Sequence, residues 1–177
     1  MRDKERKLFD RIESRRRELL AEADRLGAEQ LTFRPEPNAW STLDVLEHLV
    51  KVEEAIAERV RVREPRSLRE AARAKAALLA MRVVFGLRRR VKVPVQGILP
   101  LGGVTLTDLV NRWESAQATL RTKLEGFGPG HWSRPMMRHP LIGLLTPSEG
   151  LTFIHWHMAH HRRQIARIRR VAGYPRS

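Results

Sequence analysis

The sequence TPSEGLTFIHWHMAHHRRQIARIRRVAGYP, residues 146–175, carries the clearest helix signals of the chain. Thr146 is an N-cap residue, Pro147 suits the first helical position, and Glu149 completes a capping box. Gly173 and Pro175 mark an end near residue 172. Between these signals, apolar residues recur on one face: Ile154, Met158, Ile165, Ile168 and Ala172. The pattern predicts a long amphipathic helix with one buried face.

Four of the seven histidines lie in IHWHMAHH, residues 154–161 of this helix. At about 100° per residue, His161 lies in the middle of the apolar stripe and His157 lies at its edge. His155 and His160 point to opposite flanks, where surface or supporting roles are favoured over metal ligation. Because His157 and His161 are one turn apart and both face inward, they can ligate one metal ion. Two buried histidines satisfied by polar partners are the alternative.

The second helix carries the candidate third ligand. It is predicted over about 41–62, with Ser41 as its N-cap. His48 flanks the apolar stripe of this helix, beside Val45 and Val52, where it can face a neighbouring helix. Three histidines leave one or more coordination positions open, which is typical of catalytic rather than structural metal sites. Nitrogen ligands suit Zn, Ni, Fe or Cu, so the donor set alone leaves the metal open.

The rest of the chain is also predominantly helical. Periodic apolar residues predict helices over about 4–26 and 106–125, and a basic, Ala-rich helical segment over 66–90. The stretch 27–40 is predicted as a loop. No strand alternation, Rossmann glycine pattern or P-loop is found. The sequence therefore predicts an all-α fold: a four-helix bundle with long crossover connections plus the extra basic segment, in one domain over 1–177.

The net charge of +14 is concentrated in two stretches. Residues 59–92 carry +10 and residues 162–177 carry +6, whereas the remaining residues together carry −2. A basic surface attracts phosphates, so a non-enzymatic module that binds nucleic acid or an anionic membrane surface is the alternative function. The run Arg88, Arg89, Arg90 and Lys92 is its main support, but no helix-turn-helix, zinc finger or aromatic-stacking motif accompanies it. If the two stretches meet near the histidines, they favour an anionic substrate.

The chain has no cysteine, which excludes a disulfide framework, a thiolate zinc site, an iron–sulfur cluster and a cysteine nucleophile. Any metal must therefore be held by histidine. The charged N-terminus predicts no signal peptide. The longest apolar-rich run, AALLAMRVVFGL at 76–87, is interrupted by Arg82 and is too short to span a bilayer. A cytoplasmic protein is expected.

Two motifs together resemble those of the DinB/YfiT-like superfamily. NAWSTLDVLEHL, residues 38–49, resembles the Trp-Ser…His-Leu signature that opens the family's second helix. HPLIGLLTPSEGLTFIHWHMAHHRRQI, residues 139–165, resembles its His-Pro-x-x-Gly loop and final helix. The resemblance covers about residues 5–172 and implies a four-helix bundle. It also implies a metal held by His48, His157 and His161, with zinc or nickel expected.

The resemblance implies a metal-dependent enzyme of one of two kinds. Some members are thiol S-transferases that use bacillithiol or mycothiol, and related maleylpyruvate isomerases depend on mycothiol. Others are described as metal-dependent hydrolases. Because this chain has no cysteine, a thiol would be a low-molecular-weight cosubstrate. The expected partners are a small-molecule substrate and a second copy in a homodimer; residues 66–90 would dimerise or cover the pocket.

Two further residues are candidates for supporting the site. Gln164 follows His161 by three residues and can orient its ring, although packing or a surface position is an equal alternative. Glu53 lies on the apolar stripe of the second helix, where it can act as a general base or support a ligand. An ion pair with an arginine is the competing interpretation for Glu53.

Overall fold

The computed structural model describes residues 1–87 and 96–176. In that part of the chain it contains six α-helices: α1 (Asp3–Asp24), α2 (Ala28–Thr32), α3 (Thr42–Arg59), α4 (Leu68–Gly86), α5 (Leu106–Glu125) and α6 (Pro147–Ile168). Two short 3-10 helices span Gln96–Ile98 and Pro129–Ser133. A two-stranded antiparallel sheet is formed by β1 (Met137–His139) and β2 (Gly143–Leu145).

The four long helices α1, α3, α5 and α6 form the predicted bundle. Helix α3 packs against α5 and α6, and α1 packs against α6 and α5. Their apolar stripes meet in one core, whose fully buried side chains include Phe9, Leu49, Trp113, Leu120 and Leu151. Burial of each such side chain contributes roughly 1.5–3 kcal/mol to folding. The all-α bundle with long connections is confirmed.

Hydroxyl side chains cap the starts of α3, α4, α5 and α6, including the two predicted caps Ser41 and Thr146. Ser41 Oγ accepts a hydrogen bond from the Asp44 backbone N–H, and Asp44 accepts one from the Ser41 backbone N–H. Thr146 and Glu149 make the same reciprocal pair at the start of α6. Such a box satisfies backbone donors that have no partner inside the helix. These local signals therefore position both helices that carry the histidines.

Helix α3 ends at Arg59, a few residues before the predicted end, because the following residues pair with another segment. The Arg61 backbone N–H donates to Met136 O at 3.1 Å, and the Arg63 N–H donates to Pro135 O at 2.9 Å. These bonds hold residues 61–63 beside residues 135–136, which immediately precede β1. Helix α6 likewise ends at Ile168 rather than near residue 172.

Two connections contain structure that the sequence analysis did not predict. The predicted loop 27–40 contains the short helix α2. The Gly/Pro-rich connection between α5 and α6 contains the hairpin, with Met137 opposite Leu145 and His139 opposite Gly143. Three-residue strands are too short to show a clear alternation of apolar and polar residues, so the prediction of no strands was wrong here.

The basic segment predicted over 66–90 is helical over Leu68–Gly86. Helix α4 buries Ala74, Leu78 and Phe85 and packs against α6 and β2. The four basic residues Arg88, Arg89, Arg90 and Lys92 lie outside the described residues. No helix in the described part of the chain has both the length and the apolar character needed to cross a bilayer.

Replacing Ser41 with alanine is expected to lower the free energy of unfolding by about 1 kcal/mol. The buried Ser41 hydroxyl accepts from the Asp44 N–H and donates to the Asp44 carboxylate, and alanine removes both bonds. Urea unfolding of Ser41→Ala and of the exposed helical control Ser14→Ala measures the difference. An equal, negligible change in both variants would contradict a capping role.

Candidate metal centre

Three histidines from two helices converge in the bundle. His48 comes from α3, and His157 and His161 come from successive turns of α6. All three are buried, and one ring nitrogen of each lies within 4.8 Å of the other two. The His157 Nε2 atom is 3.2 Å from His48 Nε2 and 3.0 Å from His161 Nε2. The structure therefore brings the three predicted ligands together.

Aromatic rings and the capped helix starts hold these histidines in place. His48 lies nearly two turns after the Ser41 cap, on the face of α3 that packs against α6. The Trp40 ring lies 5.0 Å from the His48 ring and 6.3 Å from the His161 ring, centroid to centroid. Phe153 stacks on His157 at 5.3 Å. Packed rings of this kind restrict the rotamers of the histidines before any ligand arrives.

Hydrogen bonds at the far ring nitrogens set which nitrogen carries the proton. His48 Nδ1 lies 2.8 Å from the Ile98 backbone oxygen, which can only accept, so Nδ1 is the donor. His161 Nδ1 lies 2.8 Å from Gln164 Oε1 and donates in the same way. In the neutral rings, Nε2 of both residues then presents a lone pair toward His157.

A divalent cation fits this donor set. A proton on His157 Nε2 can lie in only one of its two close N···N contacts, so a neutral triad without an ion leaves lone pairs facing each other. Metal–nitrogen bonds of about 2.0–2.1 Å at tetrahedral angles separate the nitrogens by about 3.3 Å. The Nε2 separations of 3.0 and 3.2 Å are close to that value. Partners at Nδ1 are also the usual support of metal-binding histidines.

Burial keeps the three rings in the neutral form that a metal requires. Burial lowers the pKa values of His157 and His161 well below the ordinary histidine value, and the neighbouring histidines lower them further. Burial also lowers the pKa of His48, although its bond to the Ile98 carbonyl acts in the opposite direction. Near neutral pH the rings therefore need no loss of a proton before they coordinate a cation.

The histidines open onto a cavity of about 610 Å³. Its apolar walls include Val52 and Ile56 from α3 and Met81 and Phe85 from α4. Because α4 contributes to these walls, the basic segment covers the pocket, which was one of its two predicted roles. The triad thus has three protein donors and a neighbouring space of the size that small-molecule ligands occupy.

The sequence pattern of one family matches most of the chain. The model of the DinB superfamily matches residues 11–165 of the 177 residues. The chain belongs to the DinB superfamily. The predicted resemblance is confirmed, and no curated protein in the comparison matches the chain.

Two solved structures share the fold of this DinB-superfamily chain. TT2238, described as a four-helix bundle protein, has 20% sequence identity and a TM-score of 0.58, covering 92% of this chain and 98% of its own. YfiT from Bacillus subtilis has 13% identity and a TM-score of 0.60, covering 99% of this chain and 91% of its own. YfiT is described as a probable metal-dependent hydrolase with an unusual four-helix bundle topology. Because both sequence identities are low, the similarity to these two structures shows a shared fold alone.

The DinB-superfamily bundle brings two more histidines to the cavity than the sequence analysis proposed. His160 was placed on a flank, but α4 covers that flank and leaves His160 only 8% exposed, with its Nδ1 3.4 Å from Phe85 O. His139 reaches the cavity from the end of β1, and its ring lies 4.5 Å from that of Phe153. Helical periodicity cannot detect either position, because one depends on a distant helix and the other on a turn.

The two supporting candidates occupy different places. Gln164 lies at the cluster, since its Oε1 atom accepts from His161 Nδ1. Glu53 is buried on another side of α3, where it accepts a hydrogen bond from Gln117 of α5, and it does not line the cavity. The ion pairs among the described residues do not include Glu53. The charge of Arg16 of α1 lowers the pKa of Glu53, against the larger effect of burial.

Replacing Gln164 with methionine is expected to weaken cation binding about 10- to 100-fold while the triad remains intact. Methionine keeps the length of the side chain but cannot accept from His161 Nδ1, so the ring loses its orientation. Competition with a chromophoric zinc chelator measures the affinity, and Arg163→Met, on the exposed side of the same turn, is the control. Unchanged zinc affinity in Gln164→Met would show that the bond has no supporting role.

Proposed function

We propose that this protein is a metal-dependent enzyme in which His48, His157 and His161 hold zinc or nickel beside the cavity. The observation that carries the proposal is the convergence of three Nε2 atoms, two of them with Nδ1 engaged by an acceptor. A bound cation would supply Lewis acidity that favours the deprotonated form of a water or a thiol.

The chain's own residues would bind and orient the substrate. The apolar walls from α3 and α4 exclude water from one side of the triad, which strengthens electrostatic interactions there. Hydrolysis, with water as the nucleophile, is supported by the description of YfiT as a probable metal-dependent hydrolase. Transfer to a thiol would require a low-molecular-weight thiol cosubstrate, because the chain contains no cysteine.

The two reactions are distinguished with zinc- and nickel-loaded protein. Hydrolysis of p-nitrophenyl butyrate reports on water as the nucleophile, and conjugation of bacillithiol or mycothiol to monochlorobimane reports on a thiol. Activity in either assay that is lost in His48→Ala and retained in His155→Ala supports the proposal. Equal activity in wild type and His48→Ala would contradict it.

The outer face of α4 supports a second function, docking on an anionic lipid surface. Leu79, Val83 and Leu87 lie about one turn apart and are 50%, 57% and 64% exposed. The exposed cations Arg69, Arg73 and Lys75 lie on the same helix, whose acidic residue Glu70 serves in the N-terminal cap. Apolar side chains flanked by cations suit an anionic membrane interface. The same cations, in a chain of net charge +14, repel a second copy.

Cosedimentation with vesicles containing phosphatidylserine, at 50 and 500 mM salt, tests this docking. Leu79→Ser/Val83→Ser is expected to weaken vesicle binding about tenfold. The control Leu101→Ser removes a leucine elsewhere that is 86% exposed. Binding of duplex DNA without binding of vesicles would overturn the lipid proposal. The predicted homodimer stays a prediction, which sedimentation velocity of the same protein measures.

A further inference from the structure

A fourth histidine in the cavity has a tautomer that the backbone imposes. His139 Nδ1 accepts hydrogen bonds from the Leu141 N–H at 3.2 Å and the Ile142 N–H at 3.3 Å. A nitrogen that accepts carries no proton, so the proton of the neutral ring is on Nε2. Burial lowers the pKa of His139 to about 4, which keeps the ring neutral at pH 7. His139 therefore lines the cavity as a hydrogen-bond donor.

A guanidinium lies at the same end of the cavity as His139. His48, Val52, Ile56 and Arg59 share the cavity-lining face of α3, and Arg59 is about 16 Å along the helix from His48. The backbone bond from Arg61 to Met136 places this end of α3 beside the hairpin that carries His139. Among the described residues, no carboxylate forms an ion pair with Arg59.

Other cations surround this hairpin end. Arg138 lies next to His139, and both Arg61 and Arg138 interact electrostatically with Arg63. Burial, and next the charges of these two arginines, lower the pKa of the Arg63 guanidinium. Arg63 Nε is buried without a hydrogen-bond partner in the described part of the chain. Three arginines, Arg61, Arg63 and Arg138, therefore make the hairpin end positively charged.

The opposite end of the cavity carries mixed charge. Glu36 precedes the N-terminus of α3, and Arg167 comes from the last turn of α6. Both line the cavity, so one negative and one positive charge face that end. At the hairpin end, Glu70 interacts electrostatically with Arg138, but its carboxylate accepts hydrogen bonds from Ser67 in the cap of α4. The cavity is thus polarised along its length.

We infer that the substrate is an elongated organic anion whose acidic group binds Arg59 and accepts a hydrogen bond from His139 Nε2 at the hairpin end, and whose reacting group lies at the triad. Its apolar body packs on Val52, Ile56, Met81 and Phe85 between the hairpin end and the triad. The inference rests on the proposed function for the chemistry at the triad. Recognition of the anion depends only on Arg59, His139 and the apolar walls.

Calorimetry with three ten-carbon probes tests the charge preference without using activity. Decanoate, decyl phosphate and the neutral decanol share one apolar body, and EDTA in the buffer prevents any contact of the probe with a metal. Wild type is expected to bind the two anions at least tenfold more tightly than decanol. The two anions distinguish a carboxylate from a phosphate substrate by which of them binds more tightly.

Three variants assign the preference to residues. Arg59→Gln is expected to reduce the ratio of anion to decanol affinity about tenfold, whereas Arg17→Gln, which removes the same charge from α1, leaves it unchanged. His139→Asn keeps an acceptor for the Leu141 N–H and loses the Nε2 donor, so it weakens binding of both anions. Equal affinities of wild type for decanoate, decyl phosphate and decanol would overturn the inference. Failure of the triad to bind a metal would not change these affinities, so the two proposals fail separately.

Discussion

Replacing His157 with alanine is expected to reduce bound zinc or nickel from about one ion per chain to a small fraction. His157 Nε2 is the atom shared by both close contacts, at 3.2 Å to His48 and 3.0 Å to His161. Its loss leaves two donors on different helices. Elemental analysis after gel filtration measures the bound metal, and thermal unfolding with and without EDTA measures its effect on stability. At a metal concentration of 100 times Kd, binding stabilises the fold by about 2.7 kcal/mol, and this increment disappears in the variant.

His155→Ala is the matched control, because it removes an imidazole from the same helix outside the triad. It is expected to keep the metal and the EDTA-sensitive part of the stability. Comparison of the EDTA-treated proteins isolates the cost of the cavity that alanine leaves in the core. Full metal content in the His157→Ala/His161→Ala double variant would contradict a histidine-held ion.

Replacing Glu53 with glutamine is expected to make the protein more stable relative to wild type as the pH rises from 5 to 8. Glu53 is buried, and burial raises its pKa to about 7; the bond from Gln117 and the charge of Arg16 offset this only in part. The Glu53 carboxyl group has its ordinary pKa of 4.5 in the unfolded chain and the raised pKa in the folded chain. The folded chain therefore binds this proton more strongly than the unfolded chain does. Wild type therefore loses stability from this group between about pH 4.5 and 7.

The expected size of this loss is about 3 kcal/mol above pH 7, since one pKa unit corresponds to about 1.4 kcal/mol. Glutamine has no proton to lose and keeps the shape of the side chain. Urea unfolding in EDTA at several pH values measures the difference, because the histidines titrate equally in both proteins. Glu58→Gln, exposed on the same helix, is expected to follow wild type. Parallel pH profiles of Glu53→Gln and wild type would show that the group is ionised in the folded protein at pH 5.

Local sequence signals were sufficient to predict the helical bundle and to select the three candidate metal ligands. The capping pairs at Ser41 and Thr146 begin their helices through contacts between residues three apart, so they can be recognised without a fold. His157 and His161 share a face because the turn of the helix is constant. The absence of cysteine excludes thiolate ligands from any metal site.

The surroundings of the triad depended on packing between segments far apart in the chain. The partner of Glu53 is Gln117, 64 residues away, rather than an arginine. Helix α4 buries His160 on a flank that the helix alone leaves open. The three-residue turn 140–142 after β1 holds His139 at the cavity with its proton on Nε2.

The sequence by itself determined the family, the long helices and the inward faces that carry His48, His157 and His161. Only the tertiary structure decided that their Nε2 atoms converge, that α4 lines the cavity, and that Arg59 and His139 both lie at its hairpin end. Helix periodicity and caps arise from contacts within a few residues, so they can be recognised within one segment of sequence. The cavity's shape and polarity arise from side chains of separate segments, whose separation in space is set by how the helices pack.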